Sequence, residues 1–209
     1  MRVVKNLPPL ILASASPRRS ELLRQMGVEF KVLPSQAAEL HTEDLTAREL
    51  AQINAYRKAR FVAKQFPDSL VLGADTLVYL GTRLFGKPST VADAARMLQK
   101  LQGQTHRVVT AICLLCLRLH RQSIFAEDTS VTFLPLNAAA IRLYLSKVNP
   151  LDKAGAYAIQ EHGELLVEEI AGSYTNVVGL PTERLRDEFA RWNSNSSPAM
   201  EPPVQSEED

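Results

Sequence analysis

The spacing of apolar positions changes character several times along the chain, and each change marks an element. The run Leu10-Ile11-Leu12-Ala13 is short and unbroken, as in a buried strand. Behind it Ser16 predicts a helix N-cap, Pro17 the first helical position, and Gly27 the residue just past the end. Val28 to Pro34 reads as a second strand, and QAAELHTED as a polar loop. Thr46 with Glu49 forms a capping-box signature, opening a long helix that Pro67 stops. The apolar run Leu70-Val71-Leu72 leads to GADT, so Asp75 is expected at the carboxyl end of that strand. LVYLGTRLFGKP then predicts a hairpin turning near Gly81 and Thr82, and STVADAARMLQKLQG a helix ended by Gly103.

Two long strand-like stretches follow, HRVVTAICLLCLRL and IFAEDTSVTFLPL, joined by a turn around His120 to Ser123, which predicts a meander. NAAAIRLYLSKV is a helix that Asn137 can cap. NPLDKAGAYAIQEHG is a glycine-containing loop, ELLVEEIAG a strand, and NVVGLP a short apolar lead into a final helix from Thr182 to Trp192. Helices interspersed with both strands and hairpins predict an α/β fold: a mixed twisted sheet flanked by helices, in two lobes with a central cleft. Residues 1–192 form one domain on this reading, and 193–209, polar and acidic at the end, a disordered tail.

Composition narrows the function. A chain of 209 residues with 45% hydrophobic content can bury a real core. A formal net charge of +1 gives no general attraction to nucleic acid or acidic membranes, so any electropositive site is local. No apolar run reaches the roughly 18 residues a membrane span needs, and no signal-like segment precedes the first strand. A soluble cytoplasmic protein is therefore expected. Cys113 and Cys116 stand in C-x-x-C spacing, but within a strand residues three apart point to opposite faces. They are read as two small buried hydrophobes, and neither they nor His41, His106, His120 and His162 show ligand spacing.

Candidate chemistry begins at the first helix. Arg18 and Arg19 fall in its first turn, where unpaired N–H groups already make the helix end positive. Either both guanidinium groups splay into water, or the turn, with Ser16, is a receptor for phosphate. Asp75 is a solvated loop residue, a metal ligand or a base, and Lys58 and Lys87 are unremarkable taken singly. The loop DKAGAYAIQ gathers Asp152, Lys153, Gly155, Tyr157 and Gln160 in one non-repetitive segment, a composition that points to a ligand.

ASASPRR, GADT, GKP, DKAGAYAIQ and GSYTNVVGLP stand in the order, and at about the spacings, of the Maf family of nucleoside triphosphate pyrophosphatases. The resemblance runs from about Leu10 to Trp192, and SPRR, GADT and DKAGAYAIQ together resemble the branch acting on dTTP and UTP. It implies a fold related to the inosine triphosphatase type and, in many members, a homodimer. It implies Asp75 as the proton acceptor and Arg18, Thr76 and Gln160 as positions of substrate choice. Ser16, Arg19, Lys58 and Lys87 are implied phosphate contacts, and Glu39 and Asp75 ligands of a divalent cation, Mg²⁺ with Mn²⁺ as an alternative. Family members often pair acidic residues after the second strand, whereas QAAEL keeps Glu39 alone.

The expected reaction splits a triphosphate between its α and β phosphates. Its substrate is so highly charged that catalysis is largely positioning and neutralisation. The Gln160 amide, with one donating and one accepting side, matches the imide edge of uracil or thymine. The expected substrates are pyrimidine triphosphates, modified ones included; a rival reading is a nucleotide-binding regulator of cell division with little turnover, and another is the same enzyme with purine or methylated-purine preference.

Overall fold

The computed structural model describes residues 7–42 and 44–194. The first apolar run forms β1 (Leu10–Leu12), buried at all its positions. Helix α1 (Pro17–Gln25) begins where predicted, with Ser16 in extended backbone, but the Ser16 hydroxyl makes no bond to the helix it precedes. Gly27 follows its end at φ +71°, a left-handed conformation that costs glycine little. The second strand is much shorter than expected. It is reduced to β2 (Lys31–Val32) because its partner β1 is itself short and sits in register with only Lys31 and Val32.

Helix α2 (Ala47–Ala63) carries the full capping box, Thr46 accepting from the Glu49 amide and Glu49 bonding back to Thr46. Its buried face is rich in alanine, including Ala51, Ala55, Ala59 and Ala63, which lets its backbone lie close to the sheet. The strand beneath it is β3 (Leu70–Leu80). At Gly73 a Cβ would stand 2.2 Å from the Ala55 carbonyl oxygen, so only glycine fits under the helix.

This corrects the expectation that the strand ends before Asp75. The apolar run stops at Leu72, but the chain stays extended through GADT to Leu80, with Asp75 and Thr76 in mid-strand. Gly73 and Asp75 continue the row facing α2, and Ala74 and Thr76 continue the row on the other face, as the period of a strand requires.

The hairpin forms as predicted, β3 turning at Gly81 and Thr82 into β4 (Arg83–Phe85). Helix α3 (Val91–Leu101), capped by Thr90, precedes the meander of β5 (Thr105–Cys116) and β6 (Arg121–Phe133). Helix α4 (Ala138–Lys147) is capped by Asn137, which accepts from Ala139 and Ala140. Two 3-10 turns, Ala154–Ala156 and Gly163–Leu165, lead to β7 (Val167–Ala171). Where a simple apolar lead into the last helix was expected, Ser173 caps a short helix α5 (Tyr174–Val178). Helix α6 (Thr182–Ser194) runs two residues into the expected tail, and the rest of that tail lies outside the described residues.

The sheet order is β2-β1-β3-β5-β6-β7, with β4 also paired to β3. β1 is parallel to both its neighbours and the other pairings are antiparallel, so the sheet is mixed, as predicted. On one face α1 and α6 pack Leu22, Leu23, Phe189 and Trp192 against Leu12 and Leu72. On the other, α2 packs against Val71 and Val109. A third cluster joins α3 and α4 to Val78, Val108 and Phe133 at the far end of the long strands. Cys113 lies in the α2 cluster and Cys116 in the α1 cluster, on opposite faces, and both are free thiols.

The two lobes are the two ends of this one sheet. β1 pairs with β3 only over Leu70–Leu72, and β4 takes up the same strand again at Val78. Between those pairings one edge of β3 is open, and side chains from both its faces reach the same space.

Candidate active site

That open edge borders a cleft of about 1790 Å³. Ser16, Arg18, Arg19, Glu39, Lys58, Asp75, Thr76, Lys87 and Gln160, the residues to which the family resemblance gives a role, all line it.

The N-terminus of α1 forms one wall. Pro17 has no N–H, and Ser20 is the first amide to bond back, to the Ser16 carbonyl at 3.3 Å. The amides of Arg18 and Arg19 are therefore open, and no side chain caps them. The two arginines differ sharply. Arg19 donates Nε to the Gly179 carbonyl at 2.9 Å, Nη1 to Ser14 Oγ and the Ala74 carbonyl, and Nη2 to Thr76 Oγ1 at 2.9 Å. A guanidinium has five N–H groups, so one is left for a ligand. Burial pulls its pKa down, and Asp75 and Glu39 oppose that shift. Arg19 thus ties α1 to the free edge of β3 and to the turn after α5. Among the described residues Arg18 is held by Asp152 alone, at 3.3 Å, with about a quarter of its side chain exposed. It is the cation a ligand can recruit.

The opposite wall is built by α2. Lys58 Nζ donates to Asp75 Oδ1 and bonds Glu39 Oε1, both at 2.6 Å, so one ammonium gathers both carboxylates. Burial alone would raise the Glu39 pKa, but Lys58, with Lys87 and His41 beyond it, holds it below its ordinary 4.5. Helix residues at i, i+3 and i+4 share a face, and Asn54, Arg57 and Lys58 use theirs to grip the loop carrying Glu39. Asn54 accepts from the Leu40 amide at 2.7 Å and donates to the Leu40 carbonyl at 3.1 Å, while Arg57 Nε donates to the Ala38 carbonyl. Asn54 also donates to Asp75 Oδ2 at 3.5 Å.

The DKAGAYAIQ loop closes the cleft from the third side. Lys153 is buried, yet its three donors meet the Asn149 carbonyl, Asp152 and Glu161. At Asp152 burial pushes the pKa up, and Lys153 and then Arg18 more than reverse it. Gly155, at φ +69°, donates its amide to the Gly86 carbonyl and so ties this loop to the one bearing Lys87. Tyr157 OH bonds His106 Nε2 at 2.7 Å, and Tyr144 OH accepts from the Ala158 amide. These anchors leave Gln160 exposed at the cleft, its amide without a protein partner among the described residues. Lys87 is likewise exposed.

Asn54 belongs to this machinery but carried no distinct signal, and Lys153 was legible only as one member of the DKAGAYAIQ loop. A polar residue within the buried stripe of α2 was the one available clue to Asn54. Among the described residues no group of three or more His, Cys, Asp or Glu is placed to hold a metal ion. Two carboxylates across the cleft from the open N-terminus of α1 do fit a hard divalent ion that completes its shell with oxygens of a ligand and water. No described helix is long and apolar enough to cross a membrane.

A family model described as "Maf-like protein" matches residues 9–192. The chain is 46% identical over 185 residues to a protein of Acetivibrio thermocellus named dTTP/UTP pyrophosphatase, an alignment covering 85% of this chain and 92% of that one. It is 47% identical over 184 residues to a Gloeobacter violaceus protein of the same name, covering 88% and 96%. Among solved structures, the Ham1 protein of Staphylococcus aureus matches with a TM-score of 0.52 over 88% of this chain and 99% of that one. At 16% identity that likeness bears on the fold alone.

Proposed function

The chain belongs to the Maf family, and from that membership we propose that it hydrolyses dTTP and UTP to the nucleoside monophosphate and pyrophosphate. The observation that carries the reading is the meeting of Asp75 and Glu39 on Lys58 across a cleft from an open helix N-terminus.

The triphosphate lies with its charge between those walls. The free amides of Arg18 and Arg19, the Ser16 hydroxyl and the Arg18 guanidinium take phosphate oxygens on one side. Lys58 and Lys87 neutralise them on the other. Recruiting Arg18 breaks only its ion pair with Asp152. Arg19 contributes its one remaining N–H and otherwise keeps the wall rigid, so the receptor is preorganised.

Asp75 Oδ1 is committed to Lys58, while among the described residues Oδ2 has only the long contact from Asn54. Oδ2 is the atom that takes the proton of the attacking water. A divalent ion, Mg²⁺ or alternatively Mn²⁺, would be held by Glu39 and Asp75 and would supply further neutralisation of the phosphates. Gln160 reads the base with its free amide beside an apolar wall that includes Ile159 and Val178. Residues 1–192 act as one catalytic domain in the cytoplasm, where triphosphates are available, and the chain pairs as a homodimer, which sedimentation would detect.

The test is a panel of nucleoside triphosphates with Mg²⁺ or Mn²⁺, with the products resolved by phosphorus NMR. Pyrophosphate and monophosphate from dTTP and UTP, at kcat/KM at least tenfold above GTP, are expected. Orthophosphate as the first product would refute the cleavage site. Tight nucleotide binding without turnover would favour a binding regulator.

A further inference from the structure

On the face of β3 away from Asp75, a chain of hydroxyl contacts runs from the cleft into the sheet. Thr76 Oγ1 accepts from Arg19 Nη2 at 2.9 Å and lies 2.9 Å from Oγ1 of Thr110, its cross-strand neighbour. Thr110 is fully buried, and its Oγ1 donates to the main-chain oxygen of Asn176 at 2.9 Å. A threonine hydroxyl has one proton and two lone pairs. The Asn176 carbonyl can only accept, so the single proton of Thr110 is committed to it. The bond between the two threonines then forms only if Thr76 is the donor.

Thr76 therefore sends its proton inward and has lone pairs alone for everything else. One receives Arg19, and the other is all that Thr76 can offer a ligand in the cleft. A hydroxyl free to rotate could instead turn its proton toward Arg19 and weaken the hold on the guanidinium.

We propose that Thr110 is a positioning residue for the nucleotide site: it fixes the direction of the Thr76 proton and, through Thr76, the Arg19 fork. This deepens the pyrophosphatase reading and rests on it. Thr110 touches no substrate. It acts two bonds away, on the wall that receives the nucleotide, and not on the Asp75–Lys58–Glu39 group across the strand.

That separation sets the expected result. Thr110→Val keeps the shape and removes the hydroxyl, and should raise KM for dTTP about tenfold, the usual scale of a lost buried partner, with kcat within about twofold. Thr110→Ser should restore KM. Thr76→Val should raise KM at least as much, since it also loses the bond from Arg19, and the double variant should be no worse than Thr76→Val alone, because Thr110 acts only through Thr76. Should the valine chain fail to fold, Thr110→Cys, with its weak donor and acceptor, carries the same expectation. Calorimetric Kd values for a dTTP analogue with a methylene bridge between the α and β phosphorus atoms should follow the same cycle. A wild type that binds this analogue but turns over no nucleotide refutes the pyrophosphatase reading, while the cycle still tests Thr110. Wild-type KM and Kd in a folded Thr110→Val chain, additive losses in the double variant, or no rescue by serine would overturn the proposal.

Discussion

Gly73 offers the sharpest mechanical test, because one methyl group there should damage both fold and site. A Cβ at this position would stand 2.2 Å from the Ala55 carbonyl oxygen, 2.7 Å from the Ala59 amide nitrogen and 2.9 Å from the Ala59 Cβ. Ordinary contact begins near 3.4 Å, so the shortfall at the Ala55 oxygen exceeds an ångström, and the two nearest obstructing atoms are helix backbone that no rotamer change can clear. In Gly73→Ala, α2 must lift from the sheet, loosening the packing of Ala51, Ala55 and Ala59. Overpacking costs ~1–3 kcal/mol, and the loosened contacts add to it, so a loss of about 3 kcal/mol is expected. For a chain of this size that lowers Tm by about 6–12 °C. The lift also carries Lys58 and Asn54 away from Asp75, so kcat should fall at temperatures where the chain is still folded. Gly86→Ala is the control, since nothing lies within 4 Å of its Cβ, and its Tm should stay within about 2 °C of wild type. Circular dichroism melting and dTTP turnover measure both. A Gly73→Ala chain with wild-type Tm and kcat would refute the close approach of α2 and its role in placing Lys58.

The arginines should separate by phenotype. Arg18→Ala should leave Tm within about 2 °C but raise KM at least tenfold, whereas Arg19→Ala should lower Tm as well, by about 2–4 °C for each kcal/mol lost with its four protein acceptors. Equal melting temperatures would contradict that division. His106 should impose a pH dependence on stability. Burial pulls its pKa from 6.5 to about 4, so below pH 6.5 the unfolded chain binds the proton that the folded chain refuses. Stability therefore falls as pH drops from 6.5 toward 4, by about 3 kcal/mol in all, and is unaffected by this group above 6.5. Urea titrations of wild type and His106→Gln should diverge in slope over that window, and parallel curves would contradict the assignment.

Much of the fold was legible because its signals are local. The Thr46–Glu49 capping box, the Asn137 cap and the Gly81 turn each depend on neighbours within a few residues. What was not legible depended on distant partners. The extension of β3 through GADT comes from α2 lying on Gly73 and from β5 pairing without a break from Val71 to Tyr79. The shortness of β2 reflects its partner β1.

The site divides in the same way. Motif order brought its residues to one cleft, and the open amides of α1 follow from Pro17 and the first helical turn. The distinct work of Arg19 could not be read locally, because its acceptors come from Ser14, Ala74, Thr76 and Gly179. Arg18 and Arg19 are adjacent and chemically identical in sequence, yet one is a brace and the other a free hand. Asn54 was hidden for a related reason: its hydrogen bonds reach Leu40 and Asp75 across a loop that carries no regular pattern.

The reaction proposed for this cleft turns on Asp75 Oδ2 activating the water that cleaves a bound nucleoside triphosphate. It is tested most directly by Asp75→Asn, with single-turnover hydrolysis of dTTP and binding of the methylene-bridged analogue measured on the same chain. Analogue binding should stay within about fivefold of wild type while the turnover rate falls at least a hundredfold, the usual scale of a lost general base. Turnover within tenfold of wild type, with binding intact, would contradict it.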